Sequence, residues 1–119
     1  MTVTWIQPQI GHWYRLDTNF SNVLVTGVYL IWHAGGIGQP GRYVKVGQGK
    51  QGNVGARLSA HKADSVILAY KRFGELYVTW ASVPADQVDG VERFLGDHLK
   101  PLIGDRFPDV FPIAVNLPG

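Results

Sequence analysis

The sequence predicts a small α+β domain, with a three-stranded, antiparallel-containing sheet flanked by helices in the order β-β-α-(α)-β-α. Three observations lead there. Runs rich in β-branched and aromatic residues lie at 24–33, 42–46 and 75–83, each bounded by Gly, Pro or charged residues. A glycine-rich connection at 34–41 separates the first two runs, and strands this close in sequence form a hairpin. Apolar residues at 88, 91, 95 and 99 recur at helical spacing.

In chain order, residues 1–23 carry aromatics among the turn residues Pro8, Gly11, Asp17, Asn19 and Asn22, and read as an irregular lead-in packed on the domain. "LVTGVYLIWH", 24–33, is a buried strand, and "RYVKV", 42–46, is its partner. A glycine loop over 47–52 follows. "NVGARLSAHKAD", 53–64, is a helix with Asn53 as N-cap and Val54, Leu58 and His61 on one stripe. "SVILAY", 65–70, continues as a short helix. "ELYVTWASV", 75–83, is a strand that places Leu76, Val78 and Trp80 on one face and stops at Pro84. "ADQVDGVERFLGDHL", 85–99, is a helix with Asp86 and Asp89 near its positive end. Prolines 101, 108 and 112 keep the remainder extended.

Composition narrows the function classes. The 119 residues fit one domain, and 45% hydrophobic with 17% charged content fits a packed core. The absence of cysteine excludes disulfides, thiolate metal sites and cysteine nucleophiles. The first residues show no charged-then-apolar signal pattern, and no apolar run approaches the ~20 residues of a membrane span, so a cytoplasmic protein is expected. Net charge is +2, but residues 42–72 hold seven bases and one acid, whereas 74–119 hold seven acids and three bases. That asymmetry points to a polyanionic partner.

Gly47, Gly49 and Gly52 spell G-x-G-x-x-G between a strand and a helix. A dinucleotide site also needs an acid at the end of the next strand and a parallel crossover. Asp64 follows a helix instead, and the hairpin argues for antiparallel pairing, so this reading is disfavoured. The loop is expected to turn the chain tightly, with helix-start amides available to a phosphate. His12, His33 and His98 show no metal-ligand spacing.

A different series accounts for more residues. Gly27-Val28-Tyr29 lies in the first strand, and Lys45-Val46-Gly47 ends the second. Arg57 and His61 stand four apart on the first helix, and Glu92 on the last, within "VERFLGDHLKP". The series resembles the GIY-YIG nuclease superfamily over about residues 24–117. Gly-Val-Tyr stands where that family has Gly-Ile-Tyr, and Val46-Gly47 matches the end of Tyr-Ile-Gly. One residue departs from the pattern: Lys45 occupies the place of the second tyrosine, with Tyr43 two residues earlier and expected on the same face.

The resemblance implies a metal-dependent endonuclease acting on DNA, with RNA as an alternative substrate. Glu92 would hold one Mg²⁺ or Mn²⁺, Arg57 would clamp the phosphate, and Tyr29 would orient or activate water. A tyrosine base needs its pKa, near ~10, lowered by neighbouring charge, which Lys45 and Arg57 would supply. His61 would share the proton work. Tyr43, Lys50, Lys62 and Asn116 are further nucleic-acid-binding candidates. The alternative is a non-catalytic nucleic-acid-binding module on the same fold. A chain this short would draw sequence specificity from a homodimer or a targeting partner.

Overall fold

The computed structural model describes residues 1–104 and 106–119. Four strands, β1 (Tyr14–Arg15), β2 (Gly27–His33), β3 (Arg42–Gly49) and β4 (Leu76–Ser82), form one sheet of order β1-β4-β2-β3. Every neighbouring pair is antiparallel. Helices α1 (Val54–His61) and α2 (Ser65–Leu68) lead into a 3₁₀ turn, Ala69–Phe73, and α3 (Val88–Leu99) follows β4. No helix among the described residues is long and apolar enough to cross a membrane. The α+β class stands, and the sheet gains a fourth, two-residue strand from the lead-in.

Strand alternation sends the sheet's side chains into two cores. On one face Tyr29, Ile31, Val78 and Trp80 pack with Val54 and Leu58 of α1 and with Ile67 of α2. On the other, Val28, Leu30 and Val46 pack with Val88, Val91 and Leu95 of α3. The lead-in belongs to both cores: Val3 and Trp5 are buried in the second, Leu16 and Phe20 in the first. Its irregular backbone is tied to β4 by Ile6 N–H to Trp80 O at 3.0 Å and Leu16 N–H to Leu76 O at 2.9 Å.

Three features differ from the sequence expectation. First, β3 runs to Gly49, so Gly47 and Gly49 are strand residues and not part of a loop. Their lack of a side chain serves close approach. A Cβ on Gly47 would overlap the Tyr29 ring, and one on Gly49 would meet the backbone of Val54. The turn itself is confined to 50–53, where Gln51 and Gly52 take positive φ. Second, Asn53 makes no side-chain cap. The first α1 amides instead donate to carbonyls of the segment before β2, Val54 N–H to Val25 O and Gly55 N–H to Val23 O, both 3.0 Å. Those amides are therefore committed to the protein, which removes them as a phosphate cradle. Third, α3 begins at Val88, so Asp86 lies in the preceding turn and Asp89 is the acid of the first helical turn.

Asn116 is a structural latch. Its side chain accepts from Val3 N–H at 2.7 Å and donates to Val3 O at 3.0 Å, while its own carbonyl accepts from Trp5 Nε1 at 2.8 Å. Asn116→Ala should lower the unfolding free energy by about 1–2 kcal/mol in urea titration, through the two lost side-chain bonds. Nucleic-acid affinity should not change.

Candidate active site

The site forms at the outer edge of β3, where the two faces of the sheet meet. From one face come Tyr29, Lys45 and Arg57; from the other come Gln48 and Glu92. With Val46 and Gly47, Arg106 and Phe107, they line a cavity of about 340 Å³. A second hollow sharing Gln48, Glu92, Arg106 and Phe107 extends it along α3 toward Pro108 and Asp109. The chain after α3 covers part of the edge, with Leu102 N–H on Tyr43 O and Ile103 N–H on Val44 O. The cavity lies beyond that cover, beside residues 45–48.

A β-bulge decides which residue of β3 reaches the cavity. Ile31 pairs with Lys45, but Trp32 pairs with Tyr43, leaving Val44 as the extra residue. Val44 turns into the Tyr29-side core, and Tyr43 turns to the opposite face against Trp32. The expectation that Tyr43 shares a face with Lys45 is therefore corrected: one inserted residue reverses the alternation. Lys45 is the residue that stays on the Tyr29 face and lines the cavity.

Tyr29 Oη lies 2.6 Å from His61 Nε2. The other ring nitrogen, Nδ1, faces the Asp64 carboxylate at 3.8 Å, an ion-pair distance and not a hydrogen bond. With the proton on Nδ1, Nε2 accepts from the phenol. Asp64 is fixed in turn as the N-cap of α2, its Oδ1 accepting from Val66 N–H at 2.9 Å.

The protonation states depart from the simple expectation. Burial raises the Tyr29 pKa well above the ordinary phenol value, and the opposing Arg57 charge does not cancel that effect. The neighbouring cations therefore do not produce a resting phenolate, which corrects the sequence expectation. His61 is shifted below its ordinary value, first by desolvation and then by Lys45, with Asp64 opposing. Lys45 is lowered by desolvation, against the attraction of Glu92 and Asp64. At neutral pH the resting pair is thus a neutral phenol bonded to a neutral imidazole.

Two results should follow. In a spectrophotometric titration Tyr29 should ionise well above the ordinary phenol value and later than Tyr43, which burial also raises, and Tyr29→Phe should remove that latest component. By NMR, His61 should titrate below 6.5. Because its folded pKa is depressed, the stability it contributes is present above that value and lost as pH falls through the lowered one.

Glu92 is buried, with 8% exposure. Its carboxylate accepts from Gln48 Nε2 at 3.3 Å, and the same amide nitrogen donates to Asp89 Oδ1 at 2.9 Å. Lys50 closes the network on Asp89 Oδ2 at 3.2 Å. Desolvation raises the Glu92 pKa above 4.5, against the Gln48 bond and the Lys45 charge. Gln48 holds Asp89 low, with Lys50 adding to the effect.

Among the described residues no group of three His, Asp or Glu could hold a metal. A hard cation suits what is present: one buried carboxylate opening on a cavity with room for water and a phosphate.

The structure thus gathers Tyr29, Lys45, Arg57, His61 and Glu92, and Lys50 lies outside the cavity lining, bonded to Asp89. It does not gather Lys62, whose ammonium donates to Thr18 O at 2.8 Å and lies over the Phe20 ring. Asn116 and Tyr43 are likewise elsewhere. Gln48 and Asp64 escaped the sequence reading. Asp64 stands three residues after His61, and Gln48 alternates with Gly47 onto the α3 face, which are the signals that mark them.

Compared with protein-family models, curated proteins and solved structures, the chain shows no significant match to any.

Proposed function

We propose that the chain is a metal-dependent endonuclease that hydrolyses a phosphodiester bond in DNA. One observation carries the reading. The tyrosine, lysine, arginine and glutamate that the GIY-YIG resemblance singles out come from β2, β3, α1 and α3 and line one cavity, with the histidine bonded to the tyrosine.

In this reading the scissile phosphate enters over β3, and the Arg57 guanidinium binds its non-bridging oxygens through two parallel bonds. Lys45 adds a second positive charge. The attacking water lies against Tyr29 Oη. As water attacks phosphorus, its proton passes to the phenol oxygen and the phenol's proton passes to His61 Nε2. Free phenolate never accumulates, so the raised Tyr29 pKa is compatible with the step. The resulting imidazolium is stabilised by Asp64. The P–O3′ bond breaks and the 3′-oxygen leaves. Glu92 would hold the divalent cation, which would neutralise charge on the phosphate and leaving oxygen.

The test is nicking of supercoiled plasmid and of branched DNA in Mg²⁺ or Mn²⁺ beside an EDTA control. Products that need the metal support the reading. Salt-sensitive binding without products would assign the cavity to a non-catalytic nucleic-acid-binding module instead.

A further inference from the structure

A mostly apolar cavity lies apart from this site. It has a volume of about 500 Å³ and is lined by Trp13, Trp32, Tyr43 and Tyr77, with Arg42 and His33 beside them. Tyr43, Trp32 and Tyr77 are directly paired across β3, β2 and β4, so they make one aromatic row over three strands. The Trp32 and Tyr77 rings are stacked, with centroids 6.1 Å apart and planes 27° apart. Trp13 stands edge-on to Trp32 at 5.3 Å. All four rings are partly exposed, and Trp13, Trp32 and Tyr43 also pack against the α3-side core. The row lies on the α3 side of the sheet, at the end where β3 begins.

We propose that this row is a base-stacking subsite that takes an unpaired nucleotide of a nucleic acid, with Arg42 on its phosphate. The proposal rests on the nuclease reading for its choice of substrate. Three features of the cavity favour this occupant. A row of aromatics across a sheet face offers each flat base a π-surface without demanding sequence. Arg42 is exposed at the rim, and no Asp or Glu side chain among the described residues lines the cavity. Aromatic walls also attract organic cations, but the Arg42 guanidinium at the cavity opposes them.

The bulge at Val44 now has a consequence: it sends Tyr43 to the stacking row and Lys45 to the catalytic edge from the same strand. A substrate that uses both would carry an unpaired stretch beside the cleaved bond, as a flap, fork or branch does.

The experiment is quenching of tryptophan fluorescence by a short oligo-dT strand, in EDTA so that no cleavage intervenes. An abasic strand of equal length is the comparison. The base-bearing strand should bind about 10-fold more tightly. Trp32→Leu should remove that difference while leaving the abasic strand's affinity unchanged. Arg42→Gln, an exposed change that spares the fold, should weaken both strands and reduce the salt slope by about one. Equal affinity for the two strands would overturn the proposal, as would binding of a trimethylammonium compound in place of the oligonucleotide. Base-dependent binding by a chain that never cleaves with metal would sustain this subsite and defeat only the nuclease reading.

Discussion

Gly47→Ala should both destabilise the protein and disable the site. The added methyl would fall within the van der Waals envelope of Tyr29 Cε2, Cζ and Oη. Tyr29 is 2% exposed, and its ring is packed in the core that includes Trp80, Val54 and Leu58. Overpacking of this kind costs about 1–3 kcal/mol, and β3 must shift or the Tyr29–His61 bond must break to relieve it. We expect a lower urea midpoint with an unchanged slope. Chemistry should fall further than stability explains, by about 10²-fold when assayed well below the melting temperature. Tyr29→Phe supplies the contrast: it removes the phenol without adding bulk, so it should lose activity while folding normally. A Gly47→Ala protein as stable and active as wild type would show that the tyrosine does not lie where the structure puts it.

Glu92→Gln should separate function from stability in the opposite direction. The folded chain holds a carboxylate whose pKa is raised by burial, so folding favours its protonated form. The sign follows from linkage. Relative to an unperturbed carboxylate, the favourable contribution is present below the unfolded pKa and lost as pH rises through the raised folded one. At neutral and alkaline pH the ionised Glu92 therefore lowers stability. Glutamine keeps an acceptor for Gln48 and carries no charge. The variant should melt higher than wild type at about pH 8 without metal, and the advantage should shrink as pH falls. Cleavage should drop by at least ~10²-fold. Wild type alone should also gain stability from added Mg²⁺ with substrate, by mass action on the folded state.

The fold was largely legible because its signals are local. The β-branched runs gave β2, β3 and β4 to within a few residues, and the 88–91–95–99 stripe gave α3. Misreadings arose where meaning depends on a partner distant in sequence. Gly47 and Gly49 look like a loop signature, yet one is small because Tyr29 crosses it and the other because Val54 abuts it. Asn53 has the right residue type for a cap, but the carbonyls of Val23 and Val25 already accept from the first helical amides. The lead-in was expected to pack on the domain, but without periodicity nothing local marked Phe20 and Leu16 as core residues.

At the candidate site, Tyr29, Arg57, His61 and Glu92 were found through a resemblance in order and spacing, and each lies at or against one cavity. The place of Tyr43 was not legible, since a bulge leaves no sequence mark and reverses every later side chain. Nor was the direction of the Tyr29 pKa shift. Charges can be counted along a chain, but burial, which outweighs Arg57 here, appears only after folding.

The most direct test of the account is a cleavage time course on supercoiled plasmid in Mg²⁺, run with wild type and with Glu92→Gln shown to be folded. Wild type should give nicked product, with none in EDTA and none from the variant despite its higher melting temperature. Equal nicking by both proteins would contradict it, because the buried carboxylate at the β3 edge would then have no part in the chemistry.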